Sequence, residues 1–110
     1  MTTTTKIAMA MYKPKKGKSE ELKNILKEHL PTLRKMELIT ERPPLLLESE
    51  NGTIIEIFEW TGDAAKDAAH KHPAIRVIWG KMMDICSFPS LKDLPEAKHS
   101  FPNFTRINGE

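Results

Sequence analysis

The stretch LLLESENGTIIEIFEW, residues 45–60, restricts the fold more than any other part of the chain. Asn51-Gly52 is a hairpin signal, because both residues accept positive φ at low cost. LLLES (45–49) and TIIEIFEW (53–60) then read as two antiparallel strands. With Asn51-Gly52 as a two-residue loop, Leu47 falls opposite Glu56 and Leu45 opposite Phe58. One face carries Leu45, Leu47, Ile54, Glu56, Phe58 and Trp60; the other carries Leu46, Glu48, Ile55, Ile57 and Glu59. Both faces are largely apolar, so both need a cover.

KIAMAMY (6–12) has the same character, with Ile7, Met9 and Met11 on one face and Ala8, Ala10 and Tyr12 on the other. KPKKGK then breaks the pattern through Pro14 and Gly17. Ser19 is placed to cap a first helix, with Glu20 and Glu21 in its opening turn. Leu22, Ile25, Leu26, His29, Leu30 and Leu33 recur at helical spacing. Pro31 is expected to remove one backbone bond and kink this helix, which fades near Met36. Asp63 is placed to cap a second helix with a thin surface of Ala64, Ala65, Ala68 and Ala69. Pro73 interrupts it before Ile75, Ile78, Trp79, Met82 and Met83 resume an apolar stripe. ICSFP (85–89) is a candidate last short strand, and LKDLPEAKHSFPNFTRI reads as an arm or short helix.

The order is β-α-β-β-α-β, that of an α+β ferredoxin-like sandwich. Two helices cover only one face of such a sheet. Packing against the sheet of a second copy is the economical cover for the other, which predicts a homodimer. A chain of 110 residues is one domain, with about 1–5 and 99–110 as terminal arms. The net charge of +2 does not call for nucleic acid or an anionic membrane as partner. A single cysteine, Cys86, excludes an intrachain disulfide and a multi-cysteine zinc site. The N-terminus lacks a signal-peptide pattern and no apolar run approaches a membrane span, so a cytoplasmic protein is expected.

The succession YKPKKGKSEEL, PTLRKMELITERPPLLLES, GTIIEIFEW, AAHKHPAI and WGKMMDIC resembles the antibiotic-biosynthesis-monooxygenase-like proteins of the dimeric α+β barrel superfamily. The likeness runs from Lys6 to Leu94 and is greatest to a branch of bacterial proteins without assigned activity. It implies a homodimer whose two sheets face each other, helices outside, with a pocket in each subunit between sheet and helices. Members of the superfamily include cofactor-free oxygenases, haem-degrading enzymes and isomerases. The haem-degrading branch carries an asparagine late in the first strand, a tryptophan in the second helix and a histidine ligand. KIAMAMYK has no asparagine, and Ala69 and Trp79 fall at the tryptophan and ligand positions. The resemblance therefore points away from haem, and no cofactor is expected.

His70 and His72 are two residues apart, so on a helix they point to different sides and do not chelate one metal; no metal site is expected. His72 precedes Pro73 and is expected at a helix break with a solvated or backbone-bonded ring. His70 resembles the histidine that many family members carry early in the second helix. Beside a pocket it serves as a general base or bonds a phenolic group; otherwise it fills the helix–sheet junction. Glu56, on an apolar face, acts as acid or base if unpaired; the alternatives are an ion pair with a basic residue or exposure at the rim. Tyr12, Phe58, Trp60 and Trp79 are candidates to line a pocket for a flat apolar ligand, or are simply core. His29 lies on the apolar stripe of the first helix and is expected to be buried with a backbone partner. Lys13, Lys15, Lys16 and Lys18 read as a solvated loop, and Cys86 as inert. By resemblance, the function is cofactor-independent oxidation or rearrangement of a small aromatic or enolisable molecule, with His70 or Glu56 taking a proton. The alternative is a dimeric module that binds a small molecule without turnover.

Overall fold

The computed structural model describes residues 5–108, so residues 1–4 and 109–110 of the expected terminal arms lie outside it. Its elements are β1 (Lys6–Pro14), α1 (Ser19–Lys35), β2 (Leu45–Glu48), β3 (Ile54–Trp60), α2 (Asp63–Lys71), α3 (Pro73–Ile85), β4 (Cys86–Ser87) and β5 (Thr105–Arg106). Two short 3-10 turns, Leu91–Asp93 and Pro95–Lys98, lie between β4 and β5. The described strands form one antiparallel sheet in the order β4-β1-β3-β2-β5. This is an α+β domain compatible with the ferredoxin-like arrangement, with β5 added outside β2.

The hairpin register differs by one residue from the sequence expectation. Leu46 pairs with Glu56, Leu47 with Ile55 and Leu45 with Ile57. The cause is the turn. Ser49 N–H donates to Thr53 O (2.8 Å) and Gly52 N–H to Ser49 O (2.9 Å), which closes a loop of Glu50, Asn51 and Gly52. Gly52 sits at φ 89, the left-handed position that follows a type I turn in a three-residue hairpin. One added loop residue exchanges the faces of β2. Leu46 now shares the helix side with Ala8, Ala10, Tyr12, Ile54, Glu56 and Phe58, and Leu45 and Leu47 move to the outer side.

On the helix side the core forms where the stripes of α1 and α3 meet the sheet. Leu22, Leu26, Ile78, Met82 and Ile85 pack with Tyr12 and Ile54. Leu30, Leu33, Ala69 and Ile75 pack with Phe58 and Ile39. Helix α1 continues through Pro31, and its N-cap is Lys18 rather than Ser19, without a side-chain cap. At its C-terminus Leu38 N–H donates to Leu33 O (3.0 Å), with Glu37 held at φ 60. Pro73 divides the second helical stretch into two helices, because proline suits the first position of a helix and not its interior. His72 joins them, and its Nδ1 accepts from Ala74 N–H at 3.2 Å.

Part of the outer side is covered within the chain itself. Ile55, which faces that side, is fully buried, and Leu94 of the C-terminal segment is buried as well. Leu91, Leu94, Ala97, Pro102 and Phe104 border a cleft with Met9. Glu96 ties the segment down by accepting from Ser49 Oγ (2.6 Å) and Glu50 N–H (2.8 Å). Farther on, Ile107 N–H donates to Leu46 O and Asn108 Oδ1 accepts from Leu46 N–H. Ile7 (54% exposed) and Met9 (42%) remain open on β1. No helix among the described residues is long and apolar enough to cross a membrane.

Candidate functional site

Strand β1 places Ala8 and Ala10 opposite Phe58 and Glu56 on the helix side. Two methyl side chains there leave room that larger residues would fill. The result is a cavity of about 310 Å³ between the sheet and helices α2 and α3. Its wall includes Ala8, Ala10, Tyr12, His29, Phe58 and Trp60 from one side. Lys66, His70, Trp79, Met82 and Phe88 close it from the other, with Met9 at the edge. The volume lies at the low end of small-molecule pockets, roughly 300–1,000 Å³. The aromatic rings brace one another: Phe58 meets Trp60 edge-to-face at 5.0 Å, and His70 meets Trp79 at 4.9 Å.

A linear chain of hydrogen bonds links three residues of this wall through Glu56. Tyr12 Oη donates to Glu56 Oε1 at 2.9 Å. His29 Nδ1 lies 3.0 Å from Glu56 Oε1 and 3.2 Å from Oε2. Trp79 Nε1–H donates to His29 Nε2 at 2.9 Å. An indole N–H only donates, so Nε2 is an acceptor and the imidazole proton sits on Nδ1, directed at the carboxylate. His29 and Glu56 therefore form a charge-assisted hydrogen bond rather than an ion pair, since an imidazolium would set two N–H groups against each other. Glu56 is fully buried and His29 nearly so. A carboxylate in that position is tolerable because donors reach it from two elements. Burial, and then the charge and hydrogen bond of Glu56, hold the Tyr12 phenol well above its ordinary range.

The sequence-derived residues separate into two groups. Tyr12, Phe58, Trp60, Trp79 and His70 all border the cavity. Glu56 does not border it, and reaches it only through Tyr12 and His29. His70 is exposed, on the α2 face that turns toward Trp79. His72 sits at the helix junction, away from the wall. The Cys86 thiol is buried, donates to Met82 O (3.0 Å), and is pushed up by burial against a weaker opposing effect of Lys15. Such a thiol is a poor nucleophile. Two polar wall residues were missed by sequence reasoning. His29 was expected to bond backbone, and Lys66 was not considered. Among the described residues no group of three or more His, Cys, Asp or Glu side chains is placed to hold a metal ion.

No family model matches the chain, and neither a curated protein nor a solved structure does.

The chemistry open to this arrangement follows from which atoms are committed. His29, Glu56, Tyr12 and Trp79 satisfy one another, so their network fixes the wall and gives it one rigid polar stripe. The Tyr12 oxygen keeps a lone pair for a ligand donor. His70 and Lys66 engage in no side-chain hydrogen bond or ion pair among the described residues. They are the groups that could meet a ligand directly.

Proposed function

We propose that the chain is an antibiotic-biosynthesis-monooxygenase-like domain that takes a small, flat aromatic or enolisable molecule into the cavity between its sheet and helices. The observation that carries this reading is the aromatic lining itself: Phe58, Trp60 and Trp79 border a space kept open by Ala8 and Ala10. On this reading His70, the uncommitted base on the wall, accepts a proton from the substrate. The resulting enolate passes electrons to dioxygen without a cofactor, a methylene and O₂ yielding a carbonyl and water. Glu56 acts through Tyr12 and His29, fixing the wall against which the ring is held. Two copies pair by their outer sheet faces, where Ile7 and Met9 are exposed.

Both tryptophans of the chain border the cavity, so intrinsic fluorescence reports its occupancy. Anthrone, which enolises readily, is expected to quench that emission and to consume oxygen faster with the protein than in buffer. Ala8→Leu is expected to fill the cavity and abolish quenching. His70→Gln and Glu56→Gln, each with the fold intact by circular dichroism, are expected to slow turnover. Unchanged rates in both variants reject the assigned roles, and unchanged quenching in Ala8→Leu rejects the site.

A second reading has its own support. The mutual satisfaction of His29, Glu56, Tyr12 and Trp79 leaves no interior base free, which suits a module that binds without turnover. Saturable quenching with no oxygen consumption, in air, would select it.

A further inference from the structure

We infer that the occupant of the cavity is an aromatic carboxylate, seated with its charge toward helix α2 and its ring toward β1. The inference rests on the ligand-binding reading above and specifies the chemistry of the ligand. Its basis is an asymmetry of charge along the cavity. No aspartate or glutamate borders the space, whereas Lys66 and His70 both do. They stand one helical turn apart, at i and i+4, so their side chains emerge on the same face of α2.

The nearby acids are otherwise engaged or turned away. Asp63 lies 3.8 Å from the Lys6 ammonium. Glu59, on the opposite side of the sheet, accepts from Thr5, Thr40 and Arg42. Asp67 follows Lys66 and leaves the helix about 100° away from it. No ion pair to Lys66 exists among the described residues.

At the inner end the sign reverses. The buried Glu56 carboxylate lies directly behind Tyr12 and His29 and repels a second anion there. An anionic group is therefore favoured only at the α2 end. The Tyr12 oxygen, whose proton is given to Glu56, presents a lone pair that accepts from a ligand hydroxyl at the far end. A carboxylate at one end of a flat ring and a hydroxyl at the other complement both poles. A neutral ring uses neither, and a cation meets Lys66.

Titration calorimetry with 6-hydroxy-2-naphthoate and 2-naphthol, which share a ring system and differ in the carboxylate, tests this directly. The acid is expected to bind about tenfold more tightly than the naphthol, the contribution of one charge-assisted contact. Lys66→Met is expected to remove most of that difference by weakening the acid far more than the naphthol. Rising salt should weaken the acid alone. Equal or tighter binding of 2-naphthol, or a Lys66→Met variant that binds the acid as well as the wild type, overturns the inference and leaves the ligand-binding reading standing. If neither probe binds, that reading falls and the inference falls with it.

Discussion

The Trp79 indole N–H donates to His29 Nε2 at 2.9 Å, across 50 positions of sequence, and this bond decides where the imidazole proton resides. Helix α3 thereby sets the tautomer of a side chain on α1, which directs its Nδ1–H at a buried carboxylate on β3. Trp79→Phe keeps an aromatic wall and deletes only the donor. A loss of about 1–2 kcal/mol in urea unfolding is expected, since Nε2 is left buried without a partner. The ¹⁵N shifts of the His29 ring should show a single Nδ1–H tautomer in the wild type and lose that signature in the variant. Identical ring shifts in both would mean that Trp79 does not fix the tautomer.

Tyr12 and Glu56 should be energetically coupled. Tyr12→Phe removes one donor to a buried carboxylate, and Glu56→Gln leaves an amide with surplus donors in the same space. Each is expected to cost about 1–3 kcal/mol. The double variant should cost less than their sum by at least ~0.5 kcal/mol, as for residues sharing one bond. Additive losses in the cycle would show that the 2.9 Å contact carries no net energy.

Tyr12 is the chain's only tyrosine, so tyrosinate absorbance follows it alone. Its folded-state pKa is raised by burial and by Glu56. A raised value means the folded state holds the proton more tightly than the unfolded chain, which releases it near pH ~10. Stability is therefore unaffected by this group below that pH and falls as pH rises above it. Spectrophotometric titration should find the folded chain resisting ionisation beyond pH ~10, and urea should restore the ordinary value. Ionisation near pH ~10 while the chain remains folded would contradict the buried hydrogen bond.

Much of this arrangement was legible from residue patterns. The alternation of β1, with Ala8, Ala10 and Tyr12 on one side, appears unchanged in the sheet, and the aromatic residues expected near a pocket do border one. The hairpin register was not legible, because Asn-Gly is compatible with two- and three-residue loops and only the flanking Ser49–Thr53 bond distinguishes them. The division of the second helix at Pro73 was foreshadowed, as was a His72 ring at the break bonded to backbone; that this bond caps the following helix through Ala74 N–H was not. His29 and Glu56 each stood out as a polar residue on an apolar face. Reading each as the answer to the other would have found the pair, since buried polar groups are matched. What sequence periodicity lacks is the distance between faces of different elements. The C-terminal cover was hidden for the same reason: its apolar residues are too sparse to mark a face until Leu94 is seen buried.

Glu37 follows α1 with φ 60, a conformation that disfavours a side chain with a Cβ. Its side chain is exposed, and its carbonyl accepts from Thr61 Oγ1 at 3.1 Å, a bond that any residue retains. Glu37→Gly should therefore stabilise the domain by about 1 kcal/mol in chemical denaturation, with the helix terminus unchanged. A destabilised variant would show that the left-handed turn is not present in solution.

The proposed pairing of two sheets makes a separate demand on β1. Ile7 lies on the outer face opposite Glu59 and is about half exposed, although Ile55 on that side is already buried within the chain. Ile7→Lys replaces an apolar contact between copies with a charge, while within one copy the new ammonium faces the Glu59 carboxylate across the strands. The substitution should thus leave the monomer fold intact and remove the driving force for association. Sedimentation velocity is expected to give a dimer for the wild type and a monomer for Ile7→Lys, with unchanged circular dichroism. A wild-type chain that sediments as a monomer at micromolar concentration would sink the pairing, and a variant that stays dimeric would move the interface away from β1.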